Sequence, residues 1–244
     1  MDESQLLISR IEDLIWENEY STGGFIGFLN EREAALACSY LKNRHIDFTI
    51  YGGYANASRV YLSLDSDCDA CTFPITPLLI VSKGKRDLTH RDYLGSLMGI
   101  GIKRECVGDI ILQNNRSAVI FIRNEIASYV INELDRVGHE TVTVSVYEGD
   151  TSEFGTNTEE LRIIVTSMRV DNILSSLLNV SRNESSELIH DDRVFVNYYQ
   201  VSKPSHILND TDVLSVRGYG KFIIGNISGK TKRDRSVLTV FRYV

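Results

Sequence analysis

The order of apolar patterns between Leu78 and Val146 constrains this chain more than any other feature. Patterning predicts a strand at Leu78 to Ser82 and a helix at about His90 to Gly99, then strands at Asp109 to Leu112 and Ala118 to Ile122. A helix at Glu125 to Val137 and a strand at Thr141 to Val146 follow. This β-α-β-β-α-β order is the ferredoxin-like, split βαβ arrangement, in which two helices cover one face of a four-stranded antiparallel sheet. The fold class expected is therefore α+β.

The flanking segments read as separate modules. Before residue 78, Leu6, Leu7, Ile11, Leu14 and Ile15 recur at helical spacing, and Asn30 is placed to cap a second helix from Glu31 to Lys42. Strands at Ile46 to Tyr51 and Val60 to Leu64 flank a turn at Gly52-Gly53. After the middle unit, Leu161 to Thr166 is a short β-branched run read as a linking strand. A helix at Asp171 to Leu178 comes next, then a helix at Arg182 to Ile189 capped by Ser181, and then short strands from Val194 onward. The division expected is a small N-terminal α+β domain over 1–77, a ferredoxin-like, RRM-like domain over 78–165 and a third domain over 166–244.

Charge is distributed unevenly. The chain carries a net -7, but residues 1–77 hold five basic against twelve acidic side chains, whereas residues 217–244 hold seven basic and one acidic. Such asymmetry is expected where one module carries a polyanion-binding face. Residues 83–104 form a second basic stretch, with Lys83, Lys85, Arg86, Arg91, Lys103 and Arg104 against Asp87 and Asp92, beside glycines at 99, 101 and 108. RNA-binding sheets of the middle type present aromatics on their two central strands, and here Ala118 to Ile122 offers only Phe121, so base stacking on that sheet is not expected. No apolar run approaches the roughly 20 residues of a membrane span. Glu3, Glu12, Asp13 and Glu17 stand where a signal peptide is uncharged, so a cytoplasmic protein off the membrane is expected.

The densest constellation lies in the last module: Arg169-Val170-Asp171, Ser181-Arg182, Glu187-Leu188-Ile189, Val194-Phe195-Val196-Asn197, Lys203-Pro204-Ser205, Asp210, Asp212 and Val216-Arg217-Gly218. Arg182 projects from the first turn of a helix, where backbone N–H groups and the helix dipole favour a phosphate. Its guanidinium can add a charge-assisted fork to the same anion. Lys203 and Arg217 would complete a basic groove. The bland alternative pairs Arg169 and Arg182 with Asp171 and Glu187 at the surface.

This pattern resembles the S4-like (αL) RNA-binding domain, with Val170 in place of the usual Leu and Asp192 in place of a turning Gly. Further motifs are Gly52-Gly53-Tyr54 with Arg59, Phe73-Pro74-Ile75, the run from His90 to Glu105, Gly108-Asp109-Ile110, and Arg217-Gly218-Tyr219-Gly220-Lys221-Phe222. With these the whole chain resembles the YlmH family, although Ser58 replaces the Glu that usually precedes Arg59. The resemblance implies a non-enzymatic protein that binds structured rRNA or tRNA on the ribosome. It implies the large subunit carrying a stranded peptidyl-tRNA, in ribosome quality control, with contacts to ribosomal proteins. The RNA-binding residues expected are Arg169, Ser181, Arg182, Lys203, Ser205, Arg217 and Lys221, with Arg91, Lys103 and Arg104 from the middle unit. A monomer without cofactor is expected.

Other chemistries find little support. Cys68-Asp69-Ala70-Cys71 has the spacing of half a zinc site, without a second Cys-x-x-Cys or His pair. Ser228-Gly229-Lys230-Thr231 ends like a P-loop, but Ile224 stands where the required Gly would be. No Gly-x-Ser-x-Gly elbow is present, and Gly99-Ile100-Gly101 lacks the third Gly of a dinucleotide fingerprint. Two alternatives stay open: an RNA-modifying enzyme that uses the last module for delivery, and an adaptor whose basic tail meets acidic partners.

Overall fold

The computed structural model describes residues 3–18, 24–65, 69–154, 158–231 and 234–243. The chain divides into two compact units, Met1–Glu33 with Tyr40–Phe154, and Ala34–Ser39 with Gly155–Val244.

The chain begins with α1 (Glu3–Asn18), β1 (Phe25–Leu29), α2 (Glu31–Asn43), whose residues Ala34–Ser39 group with the second unit, β2 (Thr49–Tyr51) and β3 (Val60–Ser63). Asn30 caps α2 in a full capping box: its side chain accepts from the Glu33 N–H at 3.0 Å, and its own N–H donates to the Glu33 carboxylate at 2.7 Å. The three strands form an antiparallel sheet in the order β1-β3-β2. Strand β1 has no counterpart in the sequence reading, because Gly27 interrupts a five-residue run and weakens its strand signal. That glycine is required by packing, since a Cβ there would stand 2.4 Å from the Tyr61 ring.

The first unit continues with β4 (Ile75–Ser82), α3 (His90–Gly99), β5 (Val107–Asn114), β6 (Ser117–Arg123), α4 (Asn124–Glu133), β7 (Arg136–Val137) and β8 (Glu140–Val146). Its antiparallel sheet has the order β5-β6-β4-β8-β7. Apart from the short β7, this is the ferredoxin-like order. Leu78, Ile80, Ala118, Ile120 and Ile122 of the central strands pack with Tyr93 and Leu97 of α3 and Ala127 and Val130 of α4. One expected boundary is wrong: α4 stops at Glu133 rather than running to Val137. The chain leaves the helix at Leu134, and Arg136–Val137 pairs back on Glu140–Thr141 through a turn in which Gly138 takes φ +59°.

The opposite face of this sheet is covered around Phe121, while Val81, Thr143 and Ser145 on the same face stay exposed. Phe121, fully buried, lies under Tyr54 at 5.2 Å between ring centroids and edge-on to Phe154 at 5.9 Å. Gly53, at φ +100°, lets the backbone approach, since a Cβ there would sit 2.2 Å from the Phe121 ring. The loop is held by Asp109 of β5, whose Oδ2 accepts from the Tyr54 hydroxyl at 2.8 Å, the Ser58 N–H at 2.5 Å and the Arg59 N–H at 3.4 Å. The Arg59 guanidinium donates to the carbonyls of Val107 at 2.9 Å and Phe28 at 2.7 Å, which ties the first sheet to the second. The contact at position 58 uses the backbone N–H, so Ser serves there in place of Glu.

In the second unit, β9 (Thr158–Val165), α5 (Val170–Leu178), α6 (Arg182–His190), β10 (Val194–Val196), β11 (Tyr199–Gln200), β12 (Val213–Val216), β13 (Gly220–Lys230) and β14 (Ser236–Tyr243) form a sheet in the order β11-β10-β12-β13-β14-β9. The run read as a linker is thus the last strand of this sheet, paired along its length from Thr158↔Tyr243 to Val165↔Ser236. Ile173 and Leu174 of α5 and Leu188 and Ile189 of α6 share a core with Val194, Val196, Leu214, Val216, Phe222 and Ile224. Val170, the substitute for Leu, is fully buried in it. Asp192 takes φ +57°, the left-handed conformation that the usual Gly adopts freely, and its carboxylate accepts from the Gln200 side chain.

The Asp109 clamp gives a direct test. Asp109→Ala strands three donors in partly buried surroundings and should cost about 2–4 kcal/mol in urea-unfolding stability. A loss under about 0.5 kcal/mol, the usual scale of surface substitutions, would show that the loop is held by packing alone.

Candidate nucleic-acid interface

The N-terminus of α5 is built by a crossing segment. Residues 203–208 run antiparallel to 168–171: Val170 N–H donates to the His206 carbonyl at 2.8 Å, Asp171 N–H to Pro204 at 3.3 Å, and Leu208 N–H to Met168 at 2.9 Å, with a bridge between Arg169 and Ile207. Lys203 and Ser205, both exposed, are held by this pairing beside Arg169. Arg169 forms a two-pronged pair with Asp171, Nε to Oδ1 at 3.1 Å and Nη2 to Oδ2 at 2.7 Å. The pairing holds the Asp171 carboxyl below its ordinary value, and the positive charge of Arg182 adds to the effect. Arg169 is therefore positioned by a carboxylate rather than free to turn toward a ligand, while Arg182 is exposed to solvent.

The start of α6 differs from the expectation in one respect. Ser181 accepts from the Glu184 N–H at 3.2 Å and donates its own N–H to the Glu184 carboxylate at 2.7 Å. A carboxylate of this chain already takes up the helix terminus, and these hydrogen bonds hold Glu184 below the ordinary carboxyl range. Ser181 is occupied as a cap, and Arg182 is the exposed cation at this end of the helix.

At the other end of α6 a second basic group assembles. Arg217 and Arg193 exchange backbone and side-chain contacts: Arg217 N–H donates to the Arg193 carbonyl at 2.9 Å, and Arg193 Nη2 to the Arg217 carbonyl at 2.8 Å. The Arg193 guanidinium also lies 5.8 Å from the Tyr219 ring centroid, and Lys221 Nζ lies 5.4 Å from that of Tyr198. The structure thus distributes the expected residues into two groups, Arg169, Arg182, Lys203 and Ser205 in one, Arg217 and Lys221 in the other. Sequence reasoning missed Arg193; the available signal was its place just before β10, opposite the Val216-Arg217 end of β12.

In the middle unit, Arg91 and Lys103 are exposed. Arg104 turns inward and donates to the carbonyls of Val107 and, at 3.3 Å, Gly108. Burial, and then the neighbouring Arg59 charge, draws its guanidinium down to about 10. Of the three glycines beside this stretch, only Gly108 makes a close approach, and it is to aromatic rings: a Cβ there would stand 2.7 Å from Phe28. Cys68 lies outside the described residues, as does the side chain of Cys71. Among the described residues no group of three or more His, Cys, Asp or Glu is placed to hold a metal ion, and no helix is long and apolar enough to cross a membrane.

Comparison with known proteins agrees with these modules. Residues 79–151 match the family model described as "Putative RNA-binding domain in YlmH", and residues 168–214 match the S4 domain. Over 226 residues the chain is 30% identical to a Bacillus subtilis (strain 168) protein named ribosome-associated protein quality control protein P2, a match that covers 88% of this chain and 85% of that one. A solved structure titled cell division protein ylmH, from Streptococcus pneumoniae, shares the fold with a TM-score of 0.52 at 19% identity, over 60% of this chain and 92% of that one. With an RNA-binding middle domain, an S4 domain and a relative aligned over most of both lengths, this chain belongs to the YlmH family.

Proposed function

We propose that this protein is a non-enzymatic binder of structured RNA on the ribosome, acting in the cytoplasm as a monomer. Its target is the large subunit carrying a stranded peptidyl-tRNA, and it contacts rRNA and the tRNA. The observation that carries this reading is the set of exposed cations on the S4 unit, Arg182 in the first turn of α6 and Lys203 and Arg217 on segments whose backbone is hydrogen-bonded to the rest of the unit. Cations facing solvent suit a phosphate backbone, and affinity then comes mainly from charge neutralisation and RNA shape. The name of the Bacillus subtilis relative supports the ribosome as the place of action.

Within this reading the N-terminal, RRM-like and S4 modules divide the work, β9 belonging to the S4 sheet. The S4 module makes the main contact, Arg91 and Lys103 add a weaker one, and the acidic first module meets a protein of the ribosome. Tethered weak contacts of this kind add through effective concentration.

Co-sedimentation with purified subunits tests the central step. The wild type should pellet with the large subunit at low salt. Arg182→Glu/Arg217→Glu should pellet far less, and loss of two phosphate contacts should make the logarithmic salt slope of its remaining binding shallower by about 1.4–1.8. Absence of pelleting with either subunit, even in the presence of peptidyl-tRNA, would contradict the proposal. In the middle unit, Lys103→Glu should weaken binding and leave the melting temperature unchanged, whereas Arg104→Ala should lower stability by about 1–3 kcal/mol. Equal stability of the two variants would contradict the inward role given to Arg104.

A further inference from the structure

The hairpin between β12 and β13 places an aromatic ring at its tip. Val216 pairs with Gly220, so Arg217, Gly218 and Tyr219 form the turn, closed by the Tyr219 N–H donating to the Val216 carbonyl at 2.9 Å. Tyr219 is 39% exposed at a position where turns ordinarily carry small polar residues. Gly218 and Gly220 take φ +89° and +113°, and a Cβ on Gly218 would stand 2.9 Å from Arg193 Nη2. The glycines thus make room for the guanidinium that lies 5.8 Å from the Tyr219 ring centroid and is pinned to the Arg217 carbonyl at 2.8 Å. One side of the ring is backed by a cation held in place by the Arg217 carbonyl. Arg217 is exposed next to it, and no Asp or Glu occurs between Val213 and Lys230.

We propose that this tip is a stacking site for an unpaired RNA base, with Tyr219 as the platform, Arg193 as its backing cation and Arg217 facing the adjoining phosphate. The proposal rests on the RNA-binding reading above and adds to it a base contact, where that reading relies on phosphate and shape alone. A cation against one face of the ring leaves the other for a base, and aromatic-base stacking accepts any base because each has a π-face. Because the turn and the guanidinium are fixed before RNA arrives, little ordering cost remains. The closed face over Phe121 cannot serve in this way, which leaves Tyr219 as the aromatic that combines exposure with adjacent positive charge in this hairpin.

The test uses the full chain and a stem-loop RNA carrying 2-aminopurine at each loop position in turn, with anisotropy reporting binding and 2-aminopurine fluorescence reporting stacking. The wild type should bind and quench at one or more loop positions. Tyr219→Ala should lose the quench and bind about tenfold more weakly, with its salt slope unchanged, and Tyr219→Trp should retain both binding and quenching. Wild-type binding without a quench at any position, or a Tyr219→Ala variant that binds and quenches like the wild type, would overturn the stacking site and leave phosphate binding standing. No wild-type binding in the anisotropy would overturn the RNA-binding reading and the stacking site with it.

Discussion

Asp109 takes three hydrogen bonds from the loop between β2 and β3, and that contact fixes which part of the middle sheet is open to a ligand. With the loop held, Tyr54 and Phe154 close over Phe121, and the centre of the sheet face that RNA-binding domains of this topology commonly use becomes interior there. Arg59 extends the clamp to the carbonyls of Phe28 and Val107. Burying a guanidinium has a cost, and here it is offset by pairing with carbonyl oxygens on separate segments. The motif residues from Gly52 to Arg59 are therefore an internal fastening, and the exposed positive charge of the 83–104 stretch lies elsewhere, at Lys83, Lys85, Arg86, Arg91 and Lys103.

The second unit reaches its basic surface by a different route. Its helices are short, nine residues each, and are ordered by packing against a sheet rather than by their own propensity. The segment 203–208 gives α5 a backbone partner at its start, and the chain after α6 gives Arg193 a partner in Arg217. Backbone pairing of this kind positions the chain at these residues, and Arg169 is in addition held by Asp171, which takes both prongs of its fork.

Much of this was legible in the sequence, and the failures have physical causes. Helix α3 was readable to the residue because Thr89 and Asp92 mark its start and Gly101, at φ +88°, lies just past its end. The topology of the middle sheet followed from the order of elements alone. Strand β1 was hidden by Gly27, and the end of α4 by a buried Leu134 and Val137 that continue an apolar pattern while the backbone has already turned. The pairing of β9 with β14 joins residues more than seventy positions apart, and no local signal carries it. At the site, residue types were readable but directions were not. Arg91, Lys103 and Arg104 look alike in sequence, yet only Arg104 turns its guanidinium to backbone carbonyls.

The claim at the centre of this account is that RNA meets the cations of the S4 unit and not the aromatic face of the ferredoxin-like sheet. Ultraviolet crosslinking of the full chain to ribosomes, with the crosslinked peptides identified by mass spectrometry, addresses it directly. The account predicts crosslinks within residues 169–221 and none at Tyr54, Phe121 or Phe154. Crosslinks concentrated at those three aromatics would mean that the Asp109 clamp opens on the ribosome and that the sheet face, after all, is the RNA-binding surface.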